Sequence, residues 1–407
     1  MNPYRELMTS FGGTQMVDWN LAASTATRLV RPGPEVSRQE AAAVVAELRR
    51  HARASEAHVR AFTGLTPVGE AADTPVLVVD RAGWIRANAA GFRELLSPLL
   101  GRMRERRSSS PGGMVMGAVG GKVTGVEVGM LLSFMASRVL GQYETFAPVT
   151  PELPGAPGGA GGRLLLVAPN IVHVERELGV DPHDFRLWVS LHEETHRTQF
   201  TAVPWLRDHL RGEIQSFLTE TELDPSTLIE RLREAMQSVT GGRADTGTGA
   251  EEGAADGGGA DGTGQAAATE PRKASGGRSF VDLMQSPAQR EILDRVTAVM
   301  SLLEGHADYV MDGVGPQVVP SVTEIREKFQ KRRQAGASRL DQVLRKLIGL
   351  DAKLRQYRDG ERFVRAVVDE VGMDGFNRVW TSPNTLPTKA EIADPAAWVA
   401  RVHQTAE

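Results

Sequence analysis

Between Thr240 and Arg278 the chain reads TGGRADTGTGAEEGAADGGGADGTGQAAATEPRKASGGR and holds almost nothing that could be buried. Gly, Ala, Asp, Glu and Thr remove too little apolar surface from water to offset the entropy of ordering their backbone. Residues 240–278 therefore read as a disordered low-complexity insertion. Whatever folds must be built from the flanks 1–239 and 279–407, either as two domains or as one domain interrupted.

The 407 residues, 41% hydrophobic and 24% charged, are enough for one large core or two ordinary ones. The formal charge of -4 gathers into no long basic stripe, so composition gives no reason to expect nucleic acid as a partner. A small molecule or a peptide remains open as substrate, and the oligomeric state is not legible. With no cysteine in the chain, any metal must be held by His, Asp or Glu. The first residues, MNPYRELMTSFGGTQMVDWN, lack a basic and then apolar leader, so a cytoplasmic location is expected. The most apolar stretch, 114–143, is interrupted by Lys122 and Glu127 and reads as a buried helix, not a transmembrane segment.

The remaining punctuation is mostly helical. Ser37 with Glu40 reads as a capping box opening a helix to about residue 62, and Asp181-Pro182 opens another. Ser286-Pro287 begins six turns ending at Gly313 or Gly315, and further helices are expected near 321–334, 338–348, 351–371 and 395–404. Residues 74–92 suggest a strand, a turn at Asp80 to Gly83, and a return strand or helix start. Residues 101–113 read as a basic loop, 163–167 as a strand, and Asn170 as the cap of a short helix ending before Gly179. The fold class expected is mainly α, an α+β fold with a small strand component.

Inside the helix opened by Asp181 lies LHEETHRTQF, residues 191–200. His192 and His196, four residues apart, point to one side of a helix about one turn apart, the spacing a tetrahedral zinc requires. Glu193 lies about 100° further round, where it reaches water beside the metal instead of the metal itself, as a general base would. The competing reading is a charged, solvent-facing helix, for which Glu194 and Arg197 speak. Against it, Phe185, Trp188, Val189 and Leu191 precede the motif and Phe200, Val203, Trp205 and Leu206 follow it. The segment should be packed, and burying two imidazoles beside an acid needs compensation that a metal would supply.

A third ligand is the stronger test. The metzincin pattern would place Gly and His where this chain has Gln199 and Ala202, which excludes that class. The thermolysin-like pattern takes a Glu from a later helix with an Asp four residues on, and SLLEGHADYVMD offers Glu304 and Asp308 on one helical face. Glu304 would bind the metal and Asp308 would hydrogen-bond a ligand histidine. His306 is the alternative ligand, about 200° from Glu304 around the helix, so the two should not reach one ion. A ligand set spanning both flanks implies one catalytic domain.

The runs LLLVAPNIVHVERELGVDPHDFRLWVSLHEETHRTQFTAVPWLRDHL, LLEGHADYVMDGVG and LDAKLRQYRDGERFV, with DWNLAASTATRLVRPGP nearer the N-terminus, resemble a zincin-like family of high-GC bacteria. That family is labelled zinc-dependent metalloprotease or deazaflavin-coenzyme biosynthesis-associated protein, and the resemblance covers nearly all of the chain outside the insertion. It implies a mostly helical zincin-like metallopeptidase fold, a Zn2+ ion and a hydrolase activity. Carried over by motif, His192, His196 and Glu304 would be zinc ligands, Glu193 the base, and Asp308 the partner of a ligand. Glu194, Arg197 and Thr198 depart from the uncharged residues the general zincin signature prefers.

The activity expected is hydrolysis of a peptide or related amide, with a peptide or protein as substrate. Tyr309 and Tyr357, two of only four tyrosines, are candidate donors to the developing oxyanion. The alternative is a non-catalytic interaction protein that keeps zinc as a structural element. A fourth protein ligand, such as His306 or Asp308, would favour it.

Overall fold

The computed structural model describes residues 17–69, 74–108, 113–146, 162–220, 287–335 and 350–403. The insertion at 240–278 and the helix expected at 338–348 lie outside them. The elements run α1 (Trp19–Leu29), α2 (Arg38–Thr63), β1 (Val76–Val79), α3 (Arg81–Ser108), α4 (Gly113–Ala136), β2 (Gly141–Glu144), β3 (Arg163–Val167) and α5 (Ala168–Leu178). They continue with α6 (Pro182–Ala202), α7 (Pro204–Glu220), α8 (Pro287–Val314), α9 (Val322–Ala335), α10 (Leu350–Phe376), α11 (Lys389–Ala393) and α12 (Pro395–His403). The fold is mainly α with one small sheet, and among the described residues no helix is long and apolar enough to cross a membrane.

The sheet has the order β1-β3-β2. β3 pairs parallel with β1 through Val76↔Leu164 to Val79↔Val167, and antiparallel with β2 through Gly141↔Leu166 to Glu144↔Arg163. Its run RLLLV is buried on both faces, as a central strand must be. Leu166 joins one core with α2, α5 and α6, whereas Leu165 and Val167 join another with α1, α3 and α4. At the register pair Glu144↔Arg163 a fully buried ion pair closes at 2.6 Å.

A further core is formed by α7, the middle of α8, α10 and the C-terminal helices, including Leu302, Phe363, Phe376 and Trp398. α8 spans two cores: Ala298 to Leu303 belong to this one, and Val310 and Met311 to the core of α2 and α6. Glu304 sits at that seam. α8 crosses α10 backbone to backbone, since a Cβ on Gly305 would overlap the carbonyl carbon of Gly360.

Of the two readings of the chain after Asp80, the helix start holds: after Val79 the chain enters α3 directly, with Asp80 Oδ1 accepting from Gly83 N–H at 2.6 Å, and there is no return strand. Two local expectations are corrected. α3 then continues through Ser108, so 101–108 is helix and not loop; Arg, Met and Glu are good helix formers. Asn170 caps nothing: it lies inside α5, accepts from Arg81 Nε at 2.6 Å and donates to the carbonyls of Ala136 and Val139. It thereby ties α3, the end of α4 and α5 together around a junction that would otherwise leave those carbonyls buried and unmet.

Candidate metal centre

α6 begins where Asp181 Oδ1 accepts from Asp184 N–H at 2.9 Å, with Pro182 in the first helical position. Phe185 and Trp188 seat the helix, their rings stacked at 5.8 Å and Trp188 edge-on to Phe329 at 5.1 Å. Burying side chains of this size is worth roughly 1.5–3 kcal/mol each. With that face fixed, His192 and His196 emerge together toward α8.

There they meet Glu304. Glu304 Oε2 lies 3.7 Å from His192 Nε2 and 3.8 Å from His196 Nε2, and the two nitrogens are 3.2 Å apart. A tetrahedral ion with bonds of about 2.0–2.2 Å holds its ligands roughly 3.3–3.6 Å from one another. Among the described residues this group contains three donor atoms and no fourth. The residues present therefore fit a zinc ion held by three protein donors.

The hydrogen bonds around His196 fix which form it takes. Gln199 Nε2 donates to the carbonyl of Leu303 at 2.9 Å, and a carbonyl can only accept. The amide is thereby oriented, and its Oε1, 2.9 Å from His196 Nδ1, must accept from that ring. Nδ1 then carries the proton, and Nε2 presents a lone pair to the centre. The other amide hydrogen of Gln199 meets His306 Nδ1 at 3.0 Å, so His306 is protonated on Nε2.

His306 is no ligand in this arrangement. It is fully buried, faces Phe376 at 5.3 Å and Trp380 at 5.5 Å, and among the described residues its Nε2 has no hydrogen-bond partner. Burial, aided by His196, pushes its pKa down to about 3, which keeps the ring neutral. Its separation from Glu304 around the helix is what the periodicity predicts.

Glu193 is buried beneath the edge strand β2. A Cβ on Gly141 would come within 2.5 Å of Glu193 Cγ, so the absence of a side chain at 141 is what lets the carboxylate lie there. Burial, with Glu304 adding to it, raises the Glu193 carboxyl well above the usual range. Glu194 and Arg197, which favoured a solvent-facing helix, are buried as well: Arg197 Nε meets both carboxylate oxygens of Glu194 at 3.0 and 2.9 Å. Arg197 also donates to the carbonyl of Thr74 and to Glu56, binding α6 to α2 and to the approach of β1.

Asp308 follows Glu304 by one turn and is half-buried, and Met311, a further three residues on, places its Sδ 3.1 Å from His192 Nδ1. Tyr309 has Phe62 at 5.8 Å and the Arg365 guanidinium over its ring at 5.4 Å. The side chain of Tyr357 lies outside the described residues. Sequence reasoning passed over Gln199 and Gly141. Gln199 could have been found from its position three residues after His196, on the same helical face; nothing in the sequence marks Gly141.

Gln199→Leu removes the acceptor that holds His196. We expect zinc affinity to fall by about 10–100-fold, read by competition with a chromogenic chelator, with Gln199→Glu retaining most of it. Equal affinity in Gln199→Leu and wild type would deny the amide that role.

A sequence profile described as zincin-like metallopeptidase matches residues 17–399. A solved structure from Chloroflexus aurantiacus, described as a hydrolase candidate with a novel fold, is 29% identical, with a TM-score of 0.62 over 96% of this chain and 99% of that one. None of the curated proteins matches. Family membership implies a hydrolase with a metal, usually zinc, for which the His192, His196 and Glu304 group is a candidate. With its match extending across nearly the whole sequence, the chain belongs to the zincin-like metallopeptidase family.

Proposed function

We propose that this chain is a zinc-dependent hydrolase that cleaves a peptide or related amide bond, with His192, His196 and Glu304 as metal ligands and Glu193 as general base. The observation that carries the proposal is the convergence of two imidazole Nε2 atoms and one carboxylate oxygen from helices on either side of the insertion. In this reading the two flanks form one catalytic unit. Zinc held there supplies Lewis acidity toward a substrate carbonyl and toward water.

The chain's own residues do the rest. Glu193 accepts a proton from the attacking water and returns it to the leaving nitrogen. Gln199 holds His196 in the tautomer that leaves Nε2 free. Asp308, on the face of α8 between Glu304 and Met311, is the candidate partner of His192. Among the described residues β2 is an edge strand of the sheet, and beside Glu193 it offers backbone along which an extended peptide can lie. Tyr309 and Tyr357 are the candidate oxyanion donors.

A zinc-stabilised scaffold with no activity is the alternative, and a three-membered donor set argues against it. The test is metal analysis of chelator-washed, zinc-reconstituted protein together with cleavage of a peptide library. His192→Ala and Glu304→Ala are expected to lose the ion and the activity together. Full zinc in Glu304→Ala would reject the ligand set, and zinc without cleavage in wild type would favour the scaffold.

A further inference from the structure

Away from that centre, Glu47 and His51 stand four residues apart on α2, and His183 sits in the first turn of α6. Their donor atoms converge: His183 Nδ1 is 2.9 Å and His51 Nε2 3.5 Å from Glu47 Oε1, and the two rings meet edge-on with centroids 4.6 Å apart. All three atoms lie within 4.8 Å of one another. We propose that Glu47, His51 and His183 form a second divalent-metal site that fastens α2 to the start of α6.

Two observations carry this beyond a chance cluster. His51 is only 6% exposed, and its buried Nε2 faces Glu47 Oε1 at 3.5 Å, where among the described residues it makes no hydrogen bond of good geometry. A buried ring nitrogen in that position is costly unless something meets it more closely. Second, the carboxylate is already oriented. Arg186 Nη1 holds Glu47 Oε2, while its Nε and Nη2 are engaged by Glu175 at 2.9 and 2.5 Å. Oε1 is thus directed at the two imidazoles, as outer hydrogen bonds direct ligating carboxylates. A simple hydrogen bond between His183 and Glu47 would explain their pairing and leave the buried His51 Nε2 with only its 3.5 Å contact to the same oxygen.

The donor set, two imidazoles and one carboxylate oxygen, suits zinc, cobalt or nickel, whereas calcium and magnesium ask for more oxygens. Because the His183 side chain is 64% exposed, the remaining coordination positions face water. His183 precedes His192 by nine residues on α6, about 13 Å along the axis. An ion here would hold the helix that carries HEETH without touching substrate.

The experiment counts metal on the full chain, stripped with chelator, loaded with Zn2+ and passed through gel filtration before native mass spectrometry. Wild type, His183→Ala, the double variant His192→Ala/His196→Ala and the triple variant are compared. We expect two ions in wild type, one in each of the first two variants and none in the triple. Being exposed, His183 can be truncated without disturbing the core. If wild type holds one ion, His183→Ala keeps it and the double variant loses it, the second site is refuted and the catalytic assignment stands. If wild type holds one ion that only His183→Ala loses, the catalytic assignment is what fails.

Discussion

Glu193→Gln is expected to lower kcat/KM on a cleaved peptide by about 10²–10⁴-fold, the usual contribution of a positioned proton acceptor, while the protein keeps its zinc. Glutamine matches glutamate in shape, so the space left by Gly141 is filled as before. Nor should stability suffer. Burial and Glu304 raise the Glu193 carboxyl, and a group with a raised folded pKa contributes stability that is present below its unfolded value and lost as pH rises through the folded one. Without metal, the glutamine variant should therefore be at least as stable as wild type in mildly alkaline buffer. Urea unfolding of both proteins in chelator separates this from a structural role: loss of activity with matched or higher midpoints assigns Glu193 to the chemistry, and a parallel loss of stability would withdraw that assignment.

The largest structural effect is expected at Arg197. Replacing it by Met leaves the Glu194 carboxylate, which is 0% exposed, with no neutralising partner among the groups seen around it beyond a 3.5 Å contact from Thr198. Breaking a buried pair in this way costs about 3–5 kcal/mol. The pH dependence identifies the cause. Burial outweighs Arg197 and brings the Glu194 pKa up to about 7 from an unfolded value of 4.5. The stability tied to it is thus whole below about pH 4.5 and is lost as pH rises toward 7. Without Arg197 that loss extends to higher pH, so the variant should be crippled in alkaline buffer and largely recover at about pH 5. A penalty equal at both pH values would mean that Arg197 acts through packing and its bonds to Thr74 and Glu56 instead. Glu194→Gln/Arg197→Met should regain part of the loss, since no charge is then left buried.

What was legible in the sequence followed local periodicity. His192, His196 and Glu193 are readable from one helix, and Glu304 and Asp308 from another, because a turn of 3.6 residues fixes which side chains share a face. The structure brings His192, His196 and Glu304 together as that reading requires. The misses depended on distant chain. Glu194 and Arg197 spoke for the competing solvent-facing reading because nothing near them in sequence announces Glu56 or the carbonyl of Thr74, more than a hundred residues earlier. Asn170 looked like a cap because Asn favours caps, but the three groups it bonds come from α3 and the end of α4. Residues 101–108 looked like loop from their charge, although charge does not prevent a helix.

The crossing of Gly305 over Gly360 has a bearing on how Glu304, the proposed third ligand, keeps its place. Two main chains in direct contact have no rotamers to choose between, so the neighbour of Glu304 is located without any side-chain entropy being surrendered. Substitutions at exposed positions of α8 leave the spacing of the two axes at this point unchanged. A methyl group on either glycine cannot be absorbed. It would displace the helix carrying Glu304 on the scale of an ångström, where misplacement of a reacting group already costs about a hundredfold in rate. The tolerance of this protein to sequence drift is therefore uneven, wide at exposed positions of α8 and almost nil at two hydrogen-only side chains that take no part in the chemistry.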